Sequence, residues 1–281
     1  MSNWFKTMVL FIVLTALLMI VGQAVAGRAG LVTALVVSLG INLFSYWFSD
    51  KAVLKAYRAK ELSESEAPRV HAVVTQLAQA AGIPKPRVYR IPTDSPNAFA
   101  TGRNPNHAVV AVTDGILDLL DENELKGVLG HELAHVKHRD ILIGSVAAGV
   151  ASAIMFLAFI ARWGLLFTGY GGRSRDGENP LALLVAAIVA PIAATMIQLA
   201  ISRSREYAAD ETGAHYAGSP DPLISALKKI HTMSLKVPLR ATPATAHMFI
   251  MKPQVRSALT NLFSTHPPLE KRIERLNALR G

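Results

Sequence analysis

Four stretches of this 281-residue chain are long and apolar enough to call for a membrane: Met8–Ala26, Ala29–Phe48, Ile141–Ala161 and Leu181–Ile201. A helix needs about 20 residues to cross roughly 30 Å of hydrocarbon. One such run reads equally well as a buried helix of a globular protein, but four in one chain do not. The pattern divides the chain into an N-terminal transmembrane hairpin (1–48), a first polar piece (49–140), a second transmembrane hairpin (141–201) and a second polar piece (202–281). The bulk composition agrees: 51% of residues are hydrophobic and only 17% charged, with a mean hydropathy of +0.31. Lys6 and Ala24-Val25-Ala26 mimic the start and cleavage site of a signal peptide. The run between them is longer than a typical h-region and a second apolar run follows almost at once, so an uncleaved hairpin is the better reading.

Lysine and arginine then set the sidedness. The first hairpin turn carries Arg28 alone, whereas Lys51, Lys55, Arg58 and Lys60 follow the second span. Lys137 and Arg139 precede the third, and Arg203 and Arg205 follow the fourth. This bias predicts both termini and both polar pieces on the cytoplasmic side. Because the second hairpin returns the chain to that side, the two polar pieces can meet as one split domain. The net charge of +9 sits beside apolar segments and is not interleaved with aromatics as a base-stacking platform would be. Nucleic acid is therefore excluded as a partner, and anionic lipid is expected.

Residues 131–135 read His131-Glu132-Leu133-Ala134-His135. Histidines at i and i+4 lie on one face of a helix, where two neutral imidazoles can share one Zn²⁺, and the glutamate between them can serve as general base. With no cysteine in the chain, any metal must be held by histidine and carboxylate, a donor set that suits a catalytic zinc. A histidine six residues beyond the motif is ruled out as third ligand: positions 138 and 141 are His138 and Ile141, not Gly and His. Topology removes Asp176 and Glu178, across the bilayer, and leaves Glu206, Asp210, Glu211 and His215. His135 precedes the third span by six residues and Glu206 follows the fourth by five. If both helices run on from their spans, both residues stand about 8–9 Å above the same membrane face. That match favours Glu206 over its alternative, a solvated charge paired with Arg203 or Arg205. Asp210, at i+4 from Glu206, is placed to orient a ligating histidine through its other ring nitrogen.

Further elements can be read more coarsely. Pro68–Ala81 is an amphipathic helix closed by Gly82. Arg87–Ile91 and Ala108–Val112 are short strands, the latter either a substrate-pairing edge or an ordinary core strand. Asp121 and Glu124 form a capping box that starts the motif helix. Pro222–Met233 and Pro267–Leu279 are helices. His138 is read as interfacial, not as a ligand, and His71, His107, His231 and His247 as structural.

The motif, together with Ser204-Arg205-Glu206-Tyr207-Ala208-Ala209-Asp210, Asn97-Ala98-Phe99-Ala100-Thr101-Gly102 and Thr265-His266-Pro267-Pro268, resembles the HtpX family of integral-membrane zinc metalloproteases, relatives of the CAAX prenyl proteases. The resemblance covers essentially the whole chain. It implies a mainly α membrane protein, with four transmembrane helices and a split α+β cytoplasmic protease domain of zincin (gluzincin) type. It implies His131, His135 and Glu206 as ligands of one zinc ion and Glu132 as the catalytic base. It also implies a bacterial inner-membrane location, a place in membrane-protein quality control and stress response, membrane-protein and unfolded substrates, and other membrane quality-control proteases as partners. His266 is either an oxyanion-steadying catalytic residue or a helix-entry histidine. Asn97 is either a substrate-backbone contact beside the cleft or a turn residue. Two rival readings are processing of lipidated C-termini and a zinc-stabilised scaffold without activity. The first calls for a larger enclosed volume than four spans offer, and the second has no use for Glu132.

Overall fold

The computed structural model describes residues 3–140, 203–237, 250 and 267–280. The chain divides into two compact units, Met1–Tyr46 with Ser145–Gln198 and Trp47–Gly144 with Leu199–Gly281.

The first two apolar stretches lie in α1 (Asn3–Ala56), of which residues 3–46 belong to the first unit and 47–56 to the second. Gly27 takes φ +56° in its middle, a left-handed conformation that glycine adopts without the Cβ penalty. A Cβ added to Gly22 would lie 2.4 Å from the carbonyl oxygen of Gly30. Residues eight apart on a straight helix are about 12 Å apart along its axis, so the chain doubles back at Gly27. Among the described residues, which include only part of α1's side chains, no helix is long and apolar enough to cross a membrane. The third and fourth apolar stretches lie outside the described residues.

The second unit is built on a four-stranded sheet of β1 (Lys60–Glu61), β2 (Arg87–Ile91), β3 (Ala98–Thr101) and β4 (Val109–Thr113), in the order β1-β2-β4-β3. β2 and β4 are parallel, and the other two pairings are antiparallel. All five residues of β4 are buried. Val110 and Val112 join the larger core, while Val109 and Ala111 pack with Leu54, Ile91 and Phe99 on the other face. The expected strand Ala108–Val112 is thus shifted by one residue and is central, not an edge. Its uninterrupted apolar run fits a strand covered on both faces. Among the described strands the edges are β1 and β3, and β3 lies within the Asn97–Gly102 run.

The larger core is closed by helices. α2 (Pro68–Ala81) opens on proline, ends on left-handed Gly82 and buries Val70, Val73, Val74, Leu77, Ala78 and Ala81. A short α3 (Asp114–Leu119) leads to α4 (Glu122–His138), which begins with the expected Asp121/Glu124 capping box. Residues 203–217 form α5. α6 (Asp221–Ser234) and α7 (Leu269–Asn277) follow, close to the predicted Pro222–Met233 and Pro267–Leu279 windows. α4 does not run on toward the third apolar stretch as one helix. It ends at His138, and Arg139 takes φ +59°. The expectation that the motif helix runs on unbroken into the third stretch is therefore not met, because the left-handed Arg139 interrupts it.

Two glycines let α4 and α5 touch. A Cβ on Gly213 would stand 2.5 Å from the His131 amide nitrogen, and one on Gly130 would stand 2.8 Å from the Gly213 carbonyl oxygen. Backbone faces backbone at the point where the motif begins. Gly213→Ala is expected to force the helices apart and to destabilise the protein by about 1–3 kcal/mol, as overpacking does. A thermal melt in detergent checks this against Gly40→Ala, where among the described residues the added Cβ meets nothing within 4 Å.

Candidate metal centre

α4 presents His131, Glu132 and His135, and α5 presents Glu206 and Asp210. Glu206 Oε2 lies 3.6 Å from His131 Nε2, and Oε1 lies 3.5 Å from His135 Nε2. The two Nε2 atoms are 3.2 Å apart. Among the described residues, His131, His135 and Glu206 form a group whose ligand atoms all fall within 4.8 Å of one another.

The far side of each imidazole explains why these atoms converge. His131 Nδ1 lies 2.9 Å from Asp210 Oδ1, and His135 Nδ1 lies 3.1 Å from Asp140 Oδ2. A carboxylate accepts only, so in a neutral imidazole the Nδ1 facing it is the protonated nitrogen and the Nε2 turns a lone pair inward; the His131–Asp210 pair stands at ion-pair distance without hydrogen-bond alignment. Two lone pairs and a carboxylate facing one another repel unless a cation lies among them. Two imidazoles and one carboxylate are the donor set of an open, catalytic divalent-metal site. The residues therefore fit a metal, and each histidine of the pair has a carboxylate at its other ring nitrogen that could orient it.

Without metal, protons take over part of the task. Burial lowers the His135 pKa, but Asp140, Glu206 and Glu132 outweigh it and raise it to about 9. Burial holds His131 below its ordinary value despite Asp210. Metal and proton compete for His135 Nε2. Metal affinity should be flat above about pH 9 and weaken as pH falls, by up to roughly tenfold per pH unit. Uptake near pH 7 should release protons into a weak buffer. Competition against a chelator across pH measures the first effect, and a pH indicator the second.

Glu132 stands beside the triad but outside it. It is buried, and its Oε2 accepts the Ala100 amide hydrogen at 2.9 Å. Burial pushes its pKa up to about 7, in the range where a carboxylate can take and return a proton at neutral pH. Because Ala100 belongs to β3, the base is fixed to a strand that among the described residues pairs on one side only.

Asn97 is buried at the start of β3. Its Oδ1 accepts the Ile250 amide hydrogen at 3.2 Å, and its own amide donates to Thr113 Oγ1 at 2.8 Å. Its Nδ2 has no partner among the described residues. His266 lies outside the described residues. His138 Nδ1 is 4.0 Å from Asp140 Oδ2 and does not join the ligand group. Two residues escaped the sequence reading. Asp140 sits just past the α4 C-cap, five residues after His135. Arg272 is wholly buried and holds Asp210. Its signal was its register: it falls on the Leu269–Ile273–Leu276 face of α7, where an apolar residue is expected.

A helix-borne histidine pair, a carboxylate from a second helix and a buried glutamate beside a sheet edge define a metalloprotease. The chain belongs to peptidase family M48, whose profile matches residues 64–280. It is similar to proteins named protease HtpX homolog. The one from Desulfatibacillum aliphaticivorans is 55% identical over 283 residues, covering 100% of this chain and 91% of that protein. The one from Syntrophobacter fumaroxidans is 53% identical, covering 99% and 100%, and the one from Pyrococcus furiosus is 54% identical, covering 98% and 96%. Among solved structures the fold resembles that of S. mikatae Ste24p, with a TM-score of 0.55 at 17% identity. The match covers 97% of this chain and 65% of Ste24p's length.

Proposed function

We propose that this metalloprotease is a zinc-dependent endopeptidase that cleaves cytoplasmic regions of misfolded or damaged membrane proteins while itself embedded by four spans. The observation that carries the chemistry is the inward-facing His131, His135 and Glu206 group with buried Glu132 at its side. Zinc held there supplies Lewis acidity, polarising a carbonyl and acidifying water. Glu132 takes a proton from the attacking water and delivers it to the leaving amine. Asp210 and Asp140 keep the imidazoles aimed. β3, which among the described residues pairs with β4 alone, offers an extended peptide an edge to lie along beside Glu132. His266 steadies the developing oxyanion, and Asn97 sets the start of that edge. The four apolar stretches and the lysine and arginine bias support membrane residence with the site on the cytoplasmic side. The basic residues after the second apolar stretch support contact with anionic lipid, and work alongside other membrane quality-control proteases fits that setting.

The test uses the full-length protein in detergent with an unfolded membrane protein as substrate. Cleavage should stop on chelation and return with stoichiometric zinc. Cleavage that survives complete metal removal would overturn the reading.

A further inference from the structure

The C-terminal helix reaches into the metal centre without supplying a ligand. Arg272 of α7 is 1% exposed. Its Nε donates to Asp210 Oδ2 at 2.8 Å and its Nη2 to Asp210 Oδ1 at 2.6 Å, a two-pronged grip on one carboxylate. The same Oδ1 lies 2.9 Å from His131 Nδ1. The third arm, Nη1, donates to the Ile250 carbonyl oxygen at 3.1 Å, and the Ile250 amide donates to Asn97 Oδ1 at 3.2 Å. One guanidinium thus joins the orienting carboxylate of a metal ligand to the backbone at Ile250 and, through it, to the residue that opens β3. All three nitrogens of a planar fork are used, an arrangement that a lysine cannot reproduce.

Resting on the metal-site reading above, we infer that Arg272 is a positioning residue for His131, acting through Asp210, so that the metal site is complete only when α7 is docked. An unheld Asp210 can rotate, and a rotated carboxylate no longer fixes the His131 tautomer or ring plane. Two neighbours keep α7 in place independently of this chain of bonds. The Arg275 guanidinium lies 3.8 Å from the centre of the Tyr207 ring on α5, and Arg280 pairs with Asp221 at the start of α6. The helix can therefore stay docked when the Arg272 fork is removed.

Loss of a partner one step behind a metal ligand typically lowers metal affinity about 10–100-fold. The experiment measures Co²⁺ binding to the full-length protein in detergent by visible absorption, with no substrate present, so a wrong assignment of proteolysis cannot affect the readout. The variants are Arg272→Lys, Asp210→Asn and the double variant Asp210→Asn/Arg272→Met. The double variant removes both buried charges together and so guards against unfolding caused by one left unpaired. Arg272→Lys is expected to weaken Co²⁺ binding and alter its absorption bands while circular dichroism is unchanged. The double variant should bind no more weakly than Asp210→Asn alone, because the arginine acts only through the aspartate. Folded variants with wild-type Co²⁺ affinity and spectrum would overturn the inference, as would additive losses in the double variant.

Discussion

Glu132→Gln is expected to leave metal binding intact and to lower peptide-bond cleavage by about 10²–10⁴-fold, the usual contribution of a positioned general base. The amide keeps the shape of the side chain, and its carbonyl oxygen can still accept the Ala100 amide hydrogen, so the β3 edge stays where it is. What disappears is the capacity to take a proton. The metal should be retained because Glu132 is not among the three converging side chains. Stability provides a second readout with its own sign. The folded-state pKa of about 7 lies above the 4.5 of an ordinary glutamate. Its stabilising contribution is therefore full below about pH 4.5 and is lost as pH rises through 7. In metal-free protein at pH 8, the wild type bears the cost of an ionised buried carboxylate and the Gln variant does not. The variant should be the more stable by up to about 3 kcal/mol, since each tenfold change in proton affinity is worth about 1.4 kcal/mol. Cleavage at wild-type rates would remove Glu132 from the mechanism. Identical melting of the two metal-free proteins at pH 8 would show that its carboxyl is not held near neutrality.

The parts legible in the sequence were those set by local rules. The Asp121/Glu124 capping box, the α2 stripe ending on Gly82, and the histidine spacing on α4 all depend on residues within a few positions of each other. What escaped depended on partners far along the chain. β3 is four residues long, and among the described residues it pairs with β4 on one side only, which no local pattern announces. Arg272 looks like one more charge on a basic helix until α5 brings Asp210 against it. Asp140 looks like a polar flank of an apolar stretch until the left-handed Arg139 turns it back toward His135. Glu206 is the instructive case. Equal depth from two straight helices pointed to it, yet α4 ends before the third apolar stretch begins. The meeting with the histidines comes from Gly130 and Gly213, whose missing Cβ atoms let α4 and α5 approach to backbone contact.

Glu206→Gln is expected to cost more metal affinity than any change behind the ligands, beyond the roughly 10–100-fold range typical of an outer partner. Glu206 is the only anionic member of the group, and its two oxygens are shared out, Oε2 toward His131 and Oε1 toward His135. An amide preserves the volume and the helix but replaces one oxygen with an NH₂ that points protons at an imidazole lone pair. The same carboxylate helps hold a proton on metal-free His135, together with Asp140 and Glu132. Its removal should therefore lower the His135 pKa from about 9 and move the onset of proton competition to lower pH. The variant thus binds weakly at every pH, but its affinity stops improving at a lower pH than that of the wild type. Metal analysis after dialysis gives the first result and histidine NMR titration of the metal-free protein the second. Full metal occupancy after dialysis would mean that the third ligand lies elsewhere. An unmoved His135 titration would mean that the carboxylate at 3.5 Å does not govern the proton there. The two measurements separate what Glu206 does for the metal from what it does for the proton that replaces it.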